Sequence, residues 1–276
     1  MGDAADILDI ISTRKDAGEP FAIATVVRTV AATAAKAGAK AVILPDGTIS
    51  AGWIGGGCAR AAVLKAAKDA LADGRSRLVS VQPPDVLDAQ GILAGDERSG
   101  VRFAKNMCPS QGTMDIFVEP VLPRPQVVIC GSSPVAVAVA DLAKRVGFAV
   151  TVCAPVAEQA AFESADHRVE GYALPVDDVG ARYVVVSTQG RGDEAALLGA
   201  LATDVEYLGF VGSRRKAEAL KAVLSKRVAP ERLNRLKAPA GLDLGAITPD
   251  EIAVSIVAEI VAVRRGKTAR VVAARL

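Results

Sequence analysis

The stretch from residue 119 to 125, Glu-Pro-Val-Leu-Pro-Arg-Pro, constrains this fold most, because three prolines in seven residues interrupt regular elements. Before it, strands and helices follow one another without alternation, which predicts an α+β domain. After it, short strands alternate with helices, which is typical of a parallel sheet with crossover helices. We therefore predict an α/β protein with an N-terminal α+β domain over residues 1–122 and a C-terminal Rossmann-like domain over residues 123–276.

The periodicity of apolar residues gives the expected elements. In the first domain we predict a hairpin around Asp46-Gly47, with helices and strands over residues 4–17, 21–30, 59–71, 77–81 and 113–119. A polar, glycine-containing segment from 82 to 111 separates the last two strands. In the second domain we predict strands over 126–130, 149–153, 183–187 and 207–211, and helices over 135–146, 213–228 and 251–265.

Charge and hydropathy exclude several classes of function. The formal net charge of the 276 residues is only +2, and no long basic block is present, so nucleic acid is not an expected partner. No apolar run is long enough to cross a bilayer, and the acidic N-terminus does not resemble a secretory signal. We expect a cytoplasmic protein.

The four cysteines are scattered, with no C-x-x-C pair, so neither a zinc module nor a disulfide framework is indicated and reduced thiols are expected. His167 is the only histidine and lies in a polar stretch, where we interpret it as a surface or turn residue. A histidine-rich metal site and Ser-His-Asp catalysis therefore lack their residues.

The run Gly55-Gly56-Gly57-Cys58 marks the point where a turn is predicted to give way to a helix. The positive end of a helix favours a thiolate at Cys58, and glycines allow an anionic ligand to approach the backbone. Alternatively, the glycines form a tight turn and Cys58 packs as a small apolar residue. Cys108 is the second candidate thiol, although no predicted helix start supports its ionisation.

A nucleotide fingerprint is predicted between the first strand and first helix of the second domain. It reads Gly131-Ser132-Ser133-Pro134, with Ser133 where the G-x-G-x-x-G/A pattern has its second glycine. The acidic residue expected at the end of the next strand is replaced by Ala154. The pattern predicts a Rossmann scaffold and argues against ordinary NAD binding.

Three cations follow Ser213, the expected N-cap of a later helix, in the order Arg214, Arg215, Lys216. Cations are unfavourable at the positive end of a helix dipole. We therefore expect their charge to be compensated either by a phosphate group or by a carboxylate from another domain or partner. Asp243 lies in a glycine-containing loop at the predicted strand-end region, where it either contacts a ligand or forms a turn.

Several motifs together resemble the xanthine dehydrogenase accessory factor family (XdhC/CoxI). They occur in the family's order and span nearly the whole chain: Ala24-Thr25-Val26-Val27-Arg28-Thr29, Gly38-Ala39-Lys40, Pro45-Asp46-Gly47-Thr48, Ile54-Gly55-Gly56-Gly57-Cys58, Val211-Gly212-Ser213-Arg214-Arg215-Lys216 and the run from Gly241 to Ile256. The chain departs from the family pattern at Ala31-Ala32-Thr33-Ala34-Ala35 and at Thr188-Gln189-Gly190-Arg191.

The resemblance implies a dimeric accessory factor or chaperone that binds molybdenum cofactor, as molybdopterin or its dinucleotide form, and assists its insertion into a xanthine dehydrogenase-type or CO dehydrogenase-type client. Cys58 matches the family's Gly-Gly-Gly-Cys thiol and would be the metal ligand or a sulfur relay served by a cysteine desulfurase. Cys108 matches the cysteine of a Cys-Gly-Gly motif, which reads Cys-Pro-Ser here.

Such a chaperone needs no turnover, so no catalytic residue is predicted. Three alternatives remain: an FAD-binding assembly factor for the same enzymes, a nucleotide-dependent oxidoreductase, and a ligand-free scaffold that docks the client.

Overall fold

The computed structural model describes residues 4–109, 111–172, 174 and 182–266. The chain separates into two compact units, Met1–Pro123 and Arg124–Leu276, which we call the N-terminal and C-terminal units. The predicted α/β class is confirmed, with a mixed sheet in the first unit and a parallel sheet in the second. No helix among the described residues is both long and apolar enough to cross a membrane.

The N-terminal unit is built on a mixed sheet. Its strands are β1 (Phe21–Val30), β2 (Lys40–Ile43), β3 (Ile49–Gly52), β4 (Arg77–Gln82), β5 (Glu97–Arg98), β6 (Val101–Lys105) and β7 (Thr113–Val121), in the spatial order β3-β2-β1-β7-β4-β6-β5. Its helices are α1 (Ala4–Asp16), α2 (Gly57–Asp73) and α3 (Pro84–Ala89). Only β4 and β6 pair in parallel; the other neighbours are antiparallel.

Helix α2 forms the core of this unit by packing on β1, β4 and β7. Its buried side chains are small, which lets the helix axis approach the sheet closely: Ala59, Val63, Ala66, Ala67 and Ala70. Helix α1 contacts β2 and β3, with Ile7 against Phe21 and Val42. The start of α2 is therefore fixed by the packing of its whole length.

Two predictions for this unit need correction. The segment from 82 to 111 contains α3, β5 and β6, and β6 joins the sheet beside β4. The proline-rich stretch does not begin as a linker, because β7 continues through Pro120, opposite Ala22 of β1. A proline is tolerated there because the pairing of β7 with β4 ends at Val118, so Pro120 has a strand on one side only.

The C-terminal unit, in its described part, is built on a parallel sheet of six strands. They are β8 (Gln126–Cys130), β9 (Ala149–Ala154), β10 (His167–Glu170), β11 (Arg182–Val186), β12 (Tyr207–Phe210) and β13 (Leu236–Lys237), in the order β10-β9-β8-β11-β12-β13. This is the Rossmann order 3-2-1-4-5-6, in which the strand order reverses between the first and fourth strands, here β8 and β11. His167 begins an edge strand and is exposed, so its surface position is correct and its placement in a turn is wrong.

Helices cover both faces of this sheet. They are α4 (Pro134–Arg145), α5 (Asp193–Ala202), α6 (Arg214–Leu224), α7 (Pro230–Leu233) and α8 (Pro249–Arg264), and a 3₁₀ turn spans Val156–Ala161. Val127 and Ile129 face α4 and α8, whereas Val128 and Cys130 face α5 and α6. The continuous apolar strands are therefore explained by burial on both faces.

All four cysteines are free. Cys130 and Cys153 lie opposite each other in β8 and β9 and are fully buried. Their mutual hydrogen bond, together with burial, raises the pKa of the Cys130 thiol. Cys58 and Cys108 are partly exposed, so the two thiols of the N-terminal unit are the accessible ones.

Candidate functional site

The first turn of α2 is open to solvent at its glycines. Gly56 is the N-cap, no side chain caps the helix, and no acidic residue lies in its first turn. A Cβ atom added to Gly56 or Gly57 would meet nothing within 4 Å. Gly55 differs, because it has φ +114° and its added Cβ would lie 3.2 Å from the Met114 methyl carbon. The helix thus presents uncapped backbone N–H groups on an accessible surface.

The structure brings the two candidate thiols of the N-terminal unit to the same place. Cys58 is the second residue of α2, and its Sγ accepts a hydrogen bond from the Met107 amide at 3.4 Å. The Cys108 amide donates to Asn106 Oδ1 at 3.0 Å, and Asn106 Nδ2 donates to the Gly112 carbonyl at 2.6 Å. These contacts hold the loop at residues 106–109, which contains Cys108, beside the start of α2.

A cavity of about 30 Å³ lies between this loop and the helix start, and Gly56, Cys108, Thr33 and Ala34 line it. Its volume is about that of one water molecule, so it cannot enclose a pterin. Outside this cavity, the space beside Gly56 and Gly57 is open. Thr33 and Ala34 escaped prediction as site residues because they lie more than seventy residues from Cys108 in the sequence.

Metal binding by protein groups alone is not supported in the described part of the chain, where no cluster of three or more His, Cys, Asp or Glu residues could hold a metal ion. A metal at Cys58 would need donor atoms from its own cofactor. A single soft thiolate is compatible with a metal that arrives already ligated.

The fingerprint loop of the C-terminal unit is packed against protein rather than open. Gly131 has φ +115°, and a Cβ added there would lie less than 3.0 Å from the Ser187 carbonyl. Ser133 is the N-cap of α4 and accepts a hydrogen bond from the Ala136 amide at 3.1 Å. Its hydroxyl also lies 2.5 Å from the Ser187 hydroxyl. Ser133, buried where a second glycine would admit a pyrophosphate, is thus committed to contacts within the protein.

Ser132 of the fingerprint forms a hydrogen bond with a carboxylate that the sequence analysis does not predict as a site residue. Its hydroxyl donates to Glu158, which also forms an ion pair with Arg191 at 2.6 Å. The Ser132 hydrogen bond and the charge of Arg191 lower the pKa of Glu158. Glu158 was missed because it lies four residues beyond Ala154, in the 3₁₀ turn rather than at the strand end.

Two of the three cations after Ser213, Arg214 and Lys216, lie near carboxylates of the same unit. Ser213 caps α6 by accepting from the Lys216 amide, as predicted from its position. Arg214 lies 3.8 Å from Asp243, and both side chains are more than 80% exposed. Arg214 therefore lies near a carboxylate of its own unit, Arg215 has no ion pair among the described residues, and the expected phosphate group or partner carboxylate stays a prediction.

Lys216 is held in a more buried ion pair. Its Nζ lies 2.5 Å from Asp193 and 5.3 Å from the centre of the Phe210 ring. Asp193 also accepts hydrogen bonds from the Thr188 hydroxyl and the Gly190 amide. Burial would raise the pKa of Asp193, but these three partners together hold it below its usual value. The pair therefore ties the start of α5 to α6, and Thr188 and Gly190 connect the loop after β11 to the same carboxylate.

The C-terminal edge of the parallel sheet thus brings together the loops after β8, β9, β11 and β12, because the carboxyl ends of parallel strands lie on the same side. Of the predicted site residues it brings Gly131, Ser132 and Ser133 into one loop, and it pairs Arg214 with Asp243. It does not place Arg215 in a bonded cluster among the described residues.

Comparison with known proteins identifies both units. A family model described as the XdhC Rossmann domain matches residues 127–260. A second model, described as the XdhC and CoxI family, matches residues 15–82. The two matches fall on opposite sides of the proline-rich stretch and include the fingerprint loop and the Gly-Gly-Gly-Cys turn.

Two curated proteins are similar to this chain. The uncharacterized protein YqeB of Escherichia coli (strain K12) is 30% identical over 254 residues, which are 89% of this chain and 44% of that protein. A protein of Bacillus subtilis (strain 168), described as a probable xanthine dehydrogenase subunit, is 29% identical over 165 residues, 55% of this chain and 47% of that protein. The chain spans less than half the length of the curated relatives it matches.

Among solved structures, a protein named xanthine dehydrogenase from Bacillus halodurans is 19% identical, with a TM-score of 0.47 over 95% of this chain and 96% of that one. Such a similarity is too weak to support a functional assignment. The family models carry the assignment, because they match both units in the order that the sequence motifs predict. The chain belongs to the XdhC and CoxI family.

Proposed function

We propose that this chain is an accessory factor that binds molybdenum cofactor at the start of α2 and assists its maturation or insertion into a xanthine dehydrogenase-type or CO dehydrogenase-type molybdoenzyme. The observation that carries the proposal is the uncapped glycine start of α2, which presents Cys58 beside the loop of Cys108. The name of the Bacillus subtilis relative, a probable xanthine dehydrogenase component, supports the class of client.

The chemistry of this site suits a phosphorylated, metal-bearing ligand. When bound, the cofactor would supply the metal and most of its ligands. The Cys58 thiolate would add one soft donor or accept a sulfur atom, and the N–H groups of Gly57 and Cys58 would hold an anionic group. The open space beside Gly56 and Gly57 allows that approach without displacement of protein atoms.

The Rossmann order of the C-terminal unit supports binding of a nucleotide, which would be the tail of a dinucleotide form of the cofactor. The same observation favours a second candidate, an FAD-binding assembly factor for the same enzymes. NAD remains disfavoured, because Ser133 occupies the position of the second glycine. The proposal also includes a homodimer, a cysteine desulfurase as sulfur donor, and a cytoplasmic location.

The test is the composition of the full chain purified from a host that synthesises molybdenum cofactor. Molybdenum is measured by mass spectrometry, and released pterin and flavin are measured by chromatography. We expect near-stoichiometric pterin on the wild type and at least a tenfold loss on Cys58→Ser, with Cys153→Ala as the buried-thiol control.

Equal pterin retention by Cys58→Ser would contradict the role of this thiol. Flavin without pterin would favour the FAD-binding factor, and steady hydride transfer to or from a nicotinamide would favour an oxidoreductase. Cys108→Ser separates the two accessible thiols: we expect a smaller loss than for Cys58→Ser, because Cys108 is not part of the helix start.

A further inference from the structure

The loops after three neighbouring strands meet at one cluster in the C-terminal unit. Ser132 follows β8, Glu158 follows β9, and Arg191 follows β11. Glu158 accepts the hydrogen bond of Ser132 and forms the ion pair with Arg191, so its carboxylate links both neighbours. Because β8 and β11 flank the point where the strand order reverses, the cluster lies where open α/β sheets bind their ligands.

A carboxylate near the end of the second strand commonly binds ribose hydroxyls in folds of this strand order. Here the strand end itself offers only Ala154, which is fully buried and has no polar side chain. Glu158 lies one 3₁₀ turn later and still reaches the fingerprint loop through Ser132. The side chain of Glu158 is 26% exposed, which leaves its carboxylate accessible to a ligand hydroxyl.

We propose that Glu158 binds the free 2′,3′-diol of a ribonucleoside diphosphate and that Arg191 binds its diphosphate. This inference rests on the nucleotide part of the proposed function and names the residues that select the ligand. The ligand would separate the ion pair: its hydroxyls donate to the carboxylate, and its phosphate oxygens accept from the guanidinium.

The ion pair is suited to such an exchange. The Arg191 side chain is 61% exposed, and exposed ion pairs contribute little to stability, so the guanidinium is free to change partner. The neighbouring pair of Lys216 and Asp193 is different, because Asp193 is buried and has three partners. Arg191 is therefore the cation that can exchange its partner for a ligand, and Lys216 is a structural one.

The same geometry predicts what the site rejects. A 2′-phosphate would place a second anion against Glu158, and like charges repel strongly at close range. A 2′-deoxyribose would leave one carboxylate oxygen without its hydroxyl donor. The site should consequently prefer a ribose with both hydroxyls free to either analogue.

The test is calorimetric titration of the full chain with ADP, 2′-deoxy-ADP and 2′-phospho-ADP, which is ADP phosphorylated at its ribose 2′-hydroxyl. We expect the wild type to bind ADP at least tenfold more tightly than either analogue. Glu158→Ala should reduce the preference over 2′-deoxy-ADP to less than threefold, and Glu158→Gln should relax the rejection of the 2′-phosphate. The control is Glu170→Ala, an exposed carboxylate at the end of the neighbouring strand β10.

The Arg191→Ala variant distinguishes ligand binding by Arg191 from a purely structural ion pair with Glu158. The variant should bind ADP and 2′-deoxy-ADP more weakly by the same factor, with a smaller salt dependence. A purely structural ion pair would leave the affinities and their salt dependence unchanged. Wild-type affinities equal for ADP and 2′-deoxy-ADP, no binding of any nucleotide at millimolar concentration, or an unchanged diol preference in Glu158→Ala would each overturn the proposal.

Titration with CDP and GDP distinguishes the source of the nucleotide. Preference for a cytosine or guanine base would favour a molybdenum dinucleotide, and preference for adenine would favour a flavin dinucleotide; the diol itself is tested by ADP against 2′-deoxy-ADP. These titrations need no pterin, so their failure is distinguishable from a failure of the Cys58 test, which uses pterin retention at the other unit.

Discussion

Helices α2 and α4 both begin directly after a glycine-containing turn, yet their first turns differ in almost every physical respect. At α2, the N-cap is Gly56, no side chain caps it, and the neighbouring space is open. At α4, the N-cap is Ser133, its hydroxyl caps the helix, and Gly131 is pressed against the backbone of the loop after β11. The first turn of α2 is open and uncapped, whereas that of α4 is capped by a side chain of the protein.

The difference shows that a glycine near a helix start has two separate meanings. Gly131 is required by its positive φ and by the close approach of Ser187. Gly56 and Gly57 have neither constraint, so neither the backbone conformation nor packing within the unit requires a glycine there. The same residue type therefore meets a packing requirement in one unit and leaves open space beside a helix start in the other.

Replacement of a glycine at each helix start should give the largest contrast. Gly131→Ala forces a Cβ into the Ser187 carbonyl at a positive φ, and we expect it to lower the free energy of unfolding by about 3 kcal/mol. Gly57→Ala should instead raise it by about 0.5 kcal/mol, because alanine is the better helix residue. Urea unfolding, with hydrogen exchange of peptides from each unit, measures both; similar costs at the two sites would remove the distinction.

Each unit contains an aspartate with a lowered pKa, and the two aspartates should differ in how much they contribute to the free energy of unfolding. Burial would raise the pKa of Asp166, but Lys144, the Val150 amide and Arg124 lower it to about 2. Asp73 also has a pKa of about 2, chiefly through its hydrogen bond with Arg77, but its side chain is 44% exposed against 16% for Asp166. Solvent screening should therefore make the Asp73 pair the weaker one.

We expect Asp166→Asn to cost about 2 kcal/mol at pH 7 and Asp73→Asn less than about 1 kcal/mol. Because the folded pKa is depressed, the contribution of Asp166 is fully present above its unfolded pKa near 3.8 and is lost as the pH falls towards 2. Unfolding measured at pH 7, 4 and 2.5 checks the sign. A cost of Asp166→Asn that stays constant with pH would show that the charge is not responsible.

Removal of the cap of α4 should have a smaller effect. Ser133→Ala loses the N-cap hydrogen bond and leaves the buried Ser187 hydroxyl without this partner, so we expect a loss of about 1.5 kcal/mol. Ser132→Ala, the partly exposed neighbour, should cost less than about 0.5 kcal/mol. Thermal unfolding of the two variants gives the comparison, and equal costs would mean that Ser133 is not specifically a cap.

The addition of a cap to α2 should give the smallest change in stability and the sharpest functional one. Gly56 has φ −80° and ψ −169°, which suits a capping serine, so Gly56→Ser should gain about 0.3 kcal/mol. The serine hydroxyl would accept a hydrogen bond from a backbone amide that the proposed function assigns to ligand binding. We therefore expect lower pterin retention in a slightly more stable protein; undiminished retention would contradict the role of the open helix start.

Local pattern was sufficient for β1 and β8, whose bounds are those predicted. β8 is a short apolar run that ends at the glycine of the fingerprint, and β1 begins directly after Gly18-Glu19-Pro20 with mostly apolar residues. The short strand β6 escaped because Val101–Lys105 is only partly buried and depends on pairing with β4. Pro120 was misread because the absence of a second neighbouring strand is a property of the sheet, not of the proline.

The sequence by itself determined the α/β class, the change of pattern at the proline-rich stretch, and the presence of Cys58 at a helix start, since each depends on residues close together in the chain. Only the tertiary structure decided which groups meet. It placed the loop of Cys108 against Cys58 and brought Glu158 to Ser132 and Arg191. The physical reason is that sheet order and helix packing set distances between residues far apart in the sequence, and no local propensity encodes those distances.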